Sequence, residues 1–165
     1  MKRVVIVRHA KAEPYGYDND LDRHLTDRGK HDADLVSKEL KKLKVFPELI
    51  IASPSRRTTK TAEIFASNLN YPKKSIWFEK KLYHGKTPDN FLEMLKELEE
   101  EVSTVFVFGH NPSVYYYLNW LMRDFTDDVP TCSTVAIDFD VSLWRDLRAK
   151  TGEMGLRIIP DMLKE

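Results

Sequence analysis

The chain reads as an α/β protein, a three-layer α/β/α sandwich with a mostly parallel central sheet. Three observations predict this. Short uninterrupted apolar runs, Val4-Val5-Ile6-Val7, Leu49-Ile50-Ile51-Ala52 and Thr104-Val105-Phe106-Val107-Phe108, lack polar alternation, as strands buried on both faces do. Segments with apolar residues at helical spacing separate them, and parallel neighbours need such long crossovers. At 165 residues the chain suits one domain, 1–165, with a full core.

The elements follow in order. After Val4–Val7, residues Lys11 to Arg23 are polar and rich in Tyr, Asp, Asn and Gly, which predicts a loop over the sheet edge. Thr26 is a candidate N-cap for a helix in which Ala33, Val36, Leu40 and Leu43 recur at helical spacing. Lys41, Lys42 and Lys44 fall at its C-terminal end, where the helix dipole favours cations. The strand Leu49–Ala52 ends in Ser53-Pro54, read as a cap followed by proline at the first helical position. Ala62, Phe65, Ala66 and Leu69 face that helix inward. Ile76-Trp77-Phe78 is a third strand, and Thr87-Pro88 opens a helix with Phe91, Leu92, Leu95 and Leu98 on one stripe. The glutamates at 97, 99, 100 and 101 read as a solvated acidic face. After Thr104–Phe108, Gly109-His110-Asn111-Pro112 leads into a helix starting at Pro112. Val135–Phe139 and Gly155–Ile159 are strands with no clear helix between them, which predicts a hairpin-like edge.

Charged residues make up 32% of the chain, hydrophobic ones 42%, and the formal net charge is zero. Nucleic-acid-binding and membrane-surface proteins are usually basic, so this balance speaks against both. No apolar stretch reaches transmembrane length, and four apolar residues after Met-Lys-Arg are too few for a signal peptide. Cys132 is the only cysteine, which excludes an internal disulfide and fits a reducing cytoplasm. It reads as a buried structural thiol. The histidines lack zinc-site spacing and no acidic cluster implies magnesium, so neither metal nor cofactor is expected.

Three predicted strands end in cationic or imidazole groups: Arg8 and His9, then Arg56 and Arg57, then His110. Taken singly, each has an ordinary structural explanation. Carboxyl ends of parallel strands share one edge, however, and ligands of open α/β sheets bind there. Two histidines, two arginines and two helix N-termini converging on that edge would grip a tetrahedral dianion.

These residues also carry a resemblance. Val7-Arg8-His9-Ala10 resembles the Arg-His-Gly motif of the histidine phosphatase superfamily, the phosphoglycerate-mutase-like group. Ser53-Pro54-Ser55-Arg56-Arg57, with Thr61-Ala62, is similar to its second block, and Gly109-His110-Asn111-Pro112 to its third. Arg23-His24-Leu25-Thr26-Asp27-Arg28-Gly29 resembles the arginine-proline-leucine-threonine-x-x-glycine segment of its small members. The match spans almost the whole chain in the right order, and the greatest likeness is to the compact SixA-type phosphohistidine phosphatases.

The resemblance implies that His9 is a nucleophile that becomes phosphorylated. Arg8, Arg57 and His110 would bind the phosphoryl oxygens, and Arg23 would stand at the pocket rim. Ala10 replaces the common glycine and His24 the common proline. Ester-cleaving members carry a glutamate acid between the second and third blocks. Here Leu82-Tyr83-His84-Gly85-Lys86-Thr87-Pro88 has no carboxylate before Asp89, which leaves His84 as the possible acid. A weak acid suits an activated donor such as phosphohistidine, whose imidazole leaving group has a reference pKa of about 6.5. Short connections and the lack of a lid point to an open site, suited to a phosphorylated protein segment. The expected function is therefore a metal-independent phosphatase acting on phosphohistidine in a partner protein. A phosphatase of small phosphate esters or nucleotides, with His84 or Asp89 as acid, and a non-catalytic phosphoryl-binding module are the alternatives.

Overall fold

The computed structural model describes residues 1–164. Six strands form one sheet in the order β3-β2-β4-β1-β5-β6. They are β1 (Lys2–Arg8), β2 (Leu49–Ala52), β3 (Trp77–Phe78), β4 (Thr104–Gly109), β5 (Thr134–Phe139) and β6 (Glu153–Ile158). The first four run parallel, and β5 and β6 are antiparallel to their neighbours. The expected hairpin-like edge is thus β5–β6. The helices are α1 (Asp27–Lys42), α2 (Arg56–Asn68), α3 (Lys80–His84), α4 (Pro88–Lys96) and α5 (Ser113–Leu121).

Alternate residues of each central strand feed two separate cores. Val5, Val7, Ile50, Ala52, Phe106 and Phe108 pack against α1 and α2. Val4, Ile6, Ile51, Val105 and Val107 pack against α4 and α5. Val4–Val7 are all fully buried, which explains their unbroken apolar run. Between α4 and α5, Phe91 and Tyr117 stack with ring centroids 4.1 Å apart. Among the described residues no helix is long and apolar enough to cross a membrane.

Two helix starts lie slightly later than the sequence predicts. The cap of α2 is Ser55, whose side chain accepts from the Thr58 amide, and Pro54 stays outside the helix. The reason is that β-pairing extends past Ala52: the Ser53 amide donates to the Phe108 carbonyl, so the chain is still extended there. Helix α5 begins at Ser113, with Pro112 in the cap position after a cis Asn111–Pro112 bond. The sequence does not predict the five-residue α3. It is capped by Glu79 and closed by Gly85 in the left-handed region, too short to display a periodic stripe. Glu97, Glu99, Glu100 and Glu101 are all exposed, as expected. Glu100 also accepts from the Trp144 amide and lies 3.6 Å from the buried Lys2 ammonium.

The topology creates the crevice where the candidate residues meet. Strands β1 and β4 are neighbours, paired through Arg8 and Gly109 at their carboxyl ends. The helix after β1 covers one face of the sheet and the helix after β4 covers the other. Adjacent strands whose connections part in this way leave a crevice outside their carboxyl ends.

Candidate active site

His9 is set one residue beyond β1 by two backbone bonds, each 3.0 Å long. Its amide donates to the Gly109 carbonyl, and its carbonyl accepts from the Cys132 amide. Because Gly109 precedes His110, the first bond brings the two imidazoles together, with ring centroids 5.5 Å apart. His9 Nδ1 lies 2.7 Å from the Ala10 carbonyl oxygen. That oxygen can only accept, so Nδ1 carries the hydrogen and Nε2 carries the lone pair. The Ala10 amide in turn donates to Thr61 Oγ1 at 3.0 Å, which ties the motif to α2.

His9 is only 8% exposed. Burial first, then the positive fields of His110, Arg57 and Arg8, pull its pKa down to about 3. His110 is lowered to about 4, again mainly by burial and then by Arg57. Both rings are therefore neutral at pH 7. Its Nε2 is 2.7 Å from Ser53 Oγ, and a hydroxyl can hold the ring in either tautomer.

Both arginines are anchored by their terminal nitrogens. Arg8 Nη1 donates to the Val129 carbonyl at 3.0 Å, an acceptor shared with Asn111 Nδ2. Arg57, 5% exposed, donates from Nη1 to the Asp20 carbonyl and from Nη2 to the Asp20 carboxylate, at 2.9 and 3.0 Å. Three buried nitrogens of this group have no protein partner: Arg8 Nε, Arg57 Nε and His110 Nδ1. Buried donors without partners are costly unless a ligand satisfies them. The cluster thus offers a neutral imidazole with a free lone pair and two fixed guanidinium groups, a combination that can hold an oxyanion beside a nucleophile.

The other expected residues fall outside this group. Arg23 reaches it indirectly, donating to Asp20 Oδ1 at 2.9 Å and to the Glu13 carbonyl at 3.0 Å. His84 is exposed, packs its ring on Tyr83, and lines an adjacent outer cavity of about 640 Å³ with Leu21, Pro54, Arg56 and Lys80. Arg56 is exposed there while Arg57 points inward, as the motif position implies. Asp89 is exposed. Tyr15 is 82% exposed, and Tyr17 stacks on His24, the residue in the usual proline position. The Cys132 thiol is fully buried and its pKa is pushed up by burial.

Sequence reading missed two members, Asp20 and Tyr83. The Tyr83 hydroxyl donates to Asp20 Oδ2 at 2.8 Å, and its ring lies 5.6 Å from that of His110. Desolvation works against the Asp20 carboxylate, but donors from Tyr83, Arg57 and Arg23 outweigh it and bring its pKa to about 2. Tyr83 belongs to the stretch between the second and third motif blocks, where its neighbour His84 is the more evident candidate acid. Asp20 carried no signal beyond its place three residues before Arg23.

Known proteins resemble this chain in sequence and in fold. The family model described as "Histidine phosphatase superfamily (branch 1)" matches residues 4–82. The mitochondrial serine/threonine-protein phosphatase Pgam5 of Drosophila yakuba is 31% identical over 75 residues, covering 46% of this chain and 26% of that protein. The chain therefore matches about a quarter of the length of that curated relative. The protein histidine phosphatase SixA, solved with tungstate, is 27% identical with a TM-score of 0.86, covering 98% of this chain and 99% of that one. A SixA-type structure from Agrobacterium tumefaciens shares the fold at 21% identity and a TM-score of 0.81, covering 96% and 98%. Residues 4–82 thus match the histidine phosphatase superfamily, branch 1, and the whole chain shares the fold of a protein histidine phosphatase.

Proposed function

We propose that the protein is a metal-independent phosphatase that works through a phosphohistidine on His9 and acts on phosphohistidine in a partner protein. The observation that carries this reading is the Nδ1 contact to the Ala10 carbonyl, which leaves Nε2 of a neutral ring free to attack. In the first step a bond forms between His9 Nε2 and phosphorus while the bond from phosphorus to the substrate imidazole breaks. Water then attacks phosphorus, the bond to His9 breaks, and inorganic phosphate leaves. Arg8, Arg57 and His110 hold the phosphoryl oxygens through both steps, since phosphoryl transfer depends mainly on positioning and charge.

The substrate class follows from the acid. Asp20 is the carboxylate tied to this cluster, and with a pKa of about 2 it has no proton to give at neutral pH. His84 stands on the outer cavity. An alkoxide leaving group needs a proton; an imidazole, with a reference pKa of about 6.5, needs far less help. The likeness to SixA, a protein histidine phosphatase solved with an oxyanion, supports the same choice.

The test uses a peptide phosphorylated on histidine, an alkyl phosphomonoester and a nucleoside monophosphate. Turnover is expected for the first, with weak or no turnover of the others. Alkaline quenching during turnover should recover phosphate on His9, and His9→Asn should abolish both label and turnover. Equal turnover of the esters would favour the small-ester reading. Binding without label or turnover would make the protein a phosphoryl-binding module.

A further inference from the structure

We propose that Asp20 is a positioning residue, which grips both terminal nitrogens of Arg57 and leaves the guanidinium's Nε edge for the phosphoryl oxygens. The proposal rests on the phosphatase reading and extends it to a residue outside the motifs.

A guanidinium has five N–H groups in one plane. The Asp20 carbonyl takes one from Nη1 and its carboxylate takes one from Nη2. The remaining edge, Nε with the second Nη2 hydrogen, is the pair that can meet two oxygens of an anion. Arg57 Nε is buried and has no protein partner. Arg8 repeats the arrangement, with Nη1 on a backbone carbonyl and Nε without a partner. Each arginine is thus held from behind by a protein acceptor.

Asp20 is itself held. Arg23 Nε donates to Oδ1 and the Tyr83 hydroxyl to Oδ2, at 2.9 and 2.8 Å. Arg23 is fastened through Nη1 to the Glu13 carbonyl, and an Ala12–Leu25 bridge closes the foot of the loop. The loop that leaves the nucleophile therefore returns to hold the arginine of the second motif. The opposite role would make Asp20 an internal competitor that a phosphoryl group must displace from Arg57. The Nη1 contact argues against displacement, because it is made by the Asp20 backbone carbonyl and does not depend on where the carboxylate points.

The two roles predict opposite signs. Orthovanadate binding and p-nitrophenyl phosphate turnover are measured on wild type, Asp20→Ala, Asp20→Asn and Tyr83→Phe. For Asp20→Ala, positioning predicts vanadate affinity weaker by about 10-fold and kcat lower by about 30-fold, with KM little changed. Asp20→Asn keeps an oxygen acceptor for Nη2 and should recover to within about fivefold of wild type. The Arg57 Nε–H nuclear magnetic resonance signal should broaden in Asp20→Ala and stay sharp in Asp20→Asn. Tyr83→Phe, which removes one donor to the carboxylate, gives an intermediate loss and still tests the idea if Asp20→Ala folds poorly. Unchanged or tighter vanadate binding in both Asp20 variants, with kcat retained, overturns the proposal. A wild type that binds vanadate but turns over no phosphoryl donor overturns the phosphatase reading instead, and the vanadate comparison still decides the role of Asp20.

Discussion

Replacing His9 by asparagine should change how stability responds to acid. In the unfolded chain a histidine titrates near 6.5, whereas folded His9 resists protonation until about pH 3. Between those values the unfolded state binds the extra proton, so stability is full above pH 6.5 and falls as pH drops toward 3. Integrating the linkage from pH 7.5 to pH 5 gives about 2 kcal/mol lost through His9. His110, lowered to about 4, contributes a further loss of about 2 kcal/mol over the same range. Wild type should therefore lose about 4 kcal/mol through these two rings and His9→Asn about half of that. Urea unfolding of both proteins at pH 7.5, 6.5, 5.5 and 5.0 reads the difference, because other titrating groups are common to the pair. Parallel stability curves would refute the reasoning. They would mean that His9 is charged in the folded state at mildly acid pH, which would also remove the free lone pair on which the proposed chemistry rests.

Three other perturbations follow from the same geometry. Ser53→Ala leaves the His110 Nε2 contact unmade, and urea unfolding should register a loss of about 1–3 kcal/mol. Gly29→Ala would place a Cβ on the Lys11 carbonyl oxygen, a backbone atom with little room to move, so a thermal melt should show destabilisation of about 1–3 kcal/mol. His84→Asn should leave hydrolysis of a phosphohistidine peptide within about threefold of wild type, against the 10²–10⁴-fold typical of losing a general acid; a larger loss would return His84 to the chemistry.

Gly29 shows how a motif residue acquires a physical reason. In the sequence it is one letter of a resemblance. In the fold, its amide donates to the Thr26 cap and its missing side chain lets the Lys11 backbone pass alongside. Ser53 shows the reverse. Serine before proline reads as a helix cap, yet the helix is capped by Ser55, and Ser53 faces His110 instead. Local pattern identifies a hydrogen-bonding side chain near a helix start but does not choose its partner.

By itself the sequence determined the central strands, the long helices and the edge where Arg8, His9, Arg57 and His110 meet. Burial on both faces demands unbroken apolar runs, and such runs are visible without coordinates. Only the tertiary structure decided the tautomer of His9, the depressed pKa values of both rings and the membership of Asp20 and Tyr83. Those properties depend on distances between segments far apart in the chain, such as the 63 residues that separate Asp20 from Tyr83. No periodicity or propensity encodes them, because they arise when a loop from one strand end closes over a helix from another.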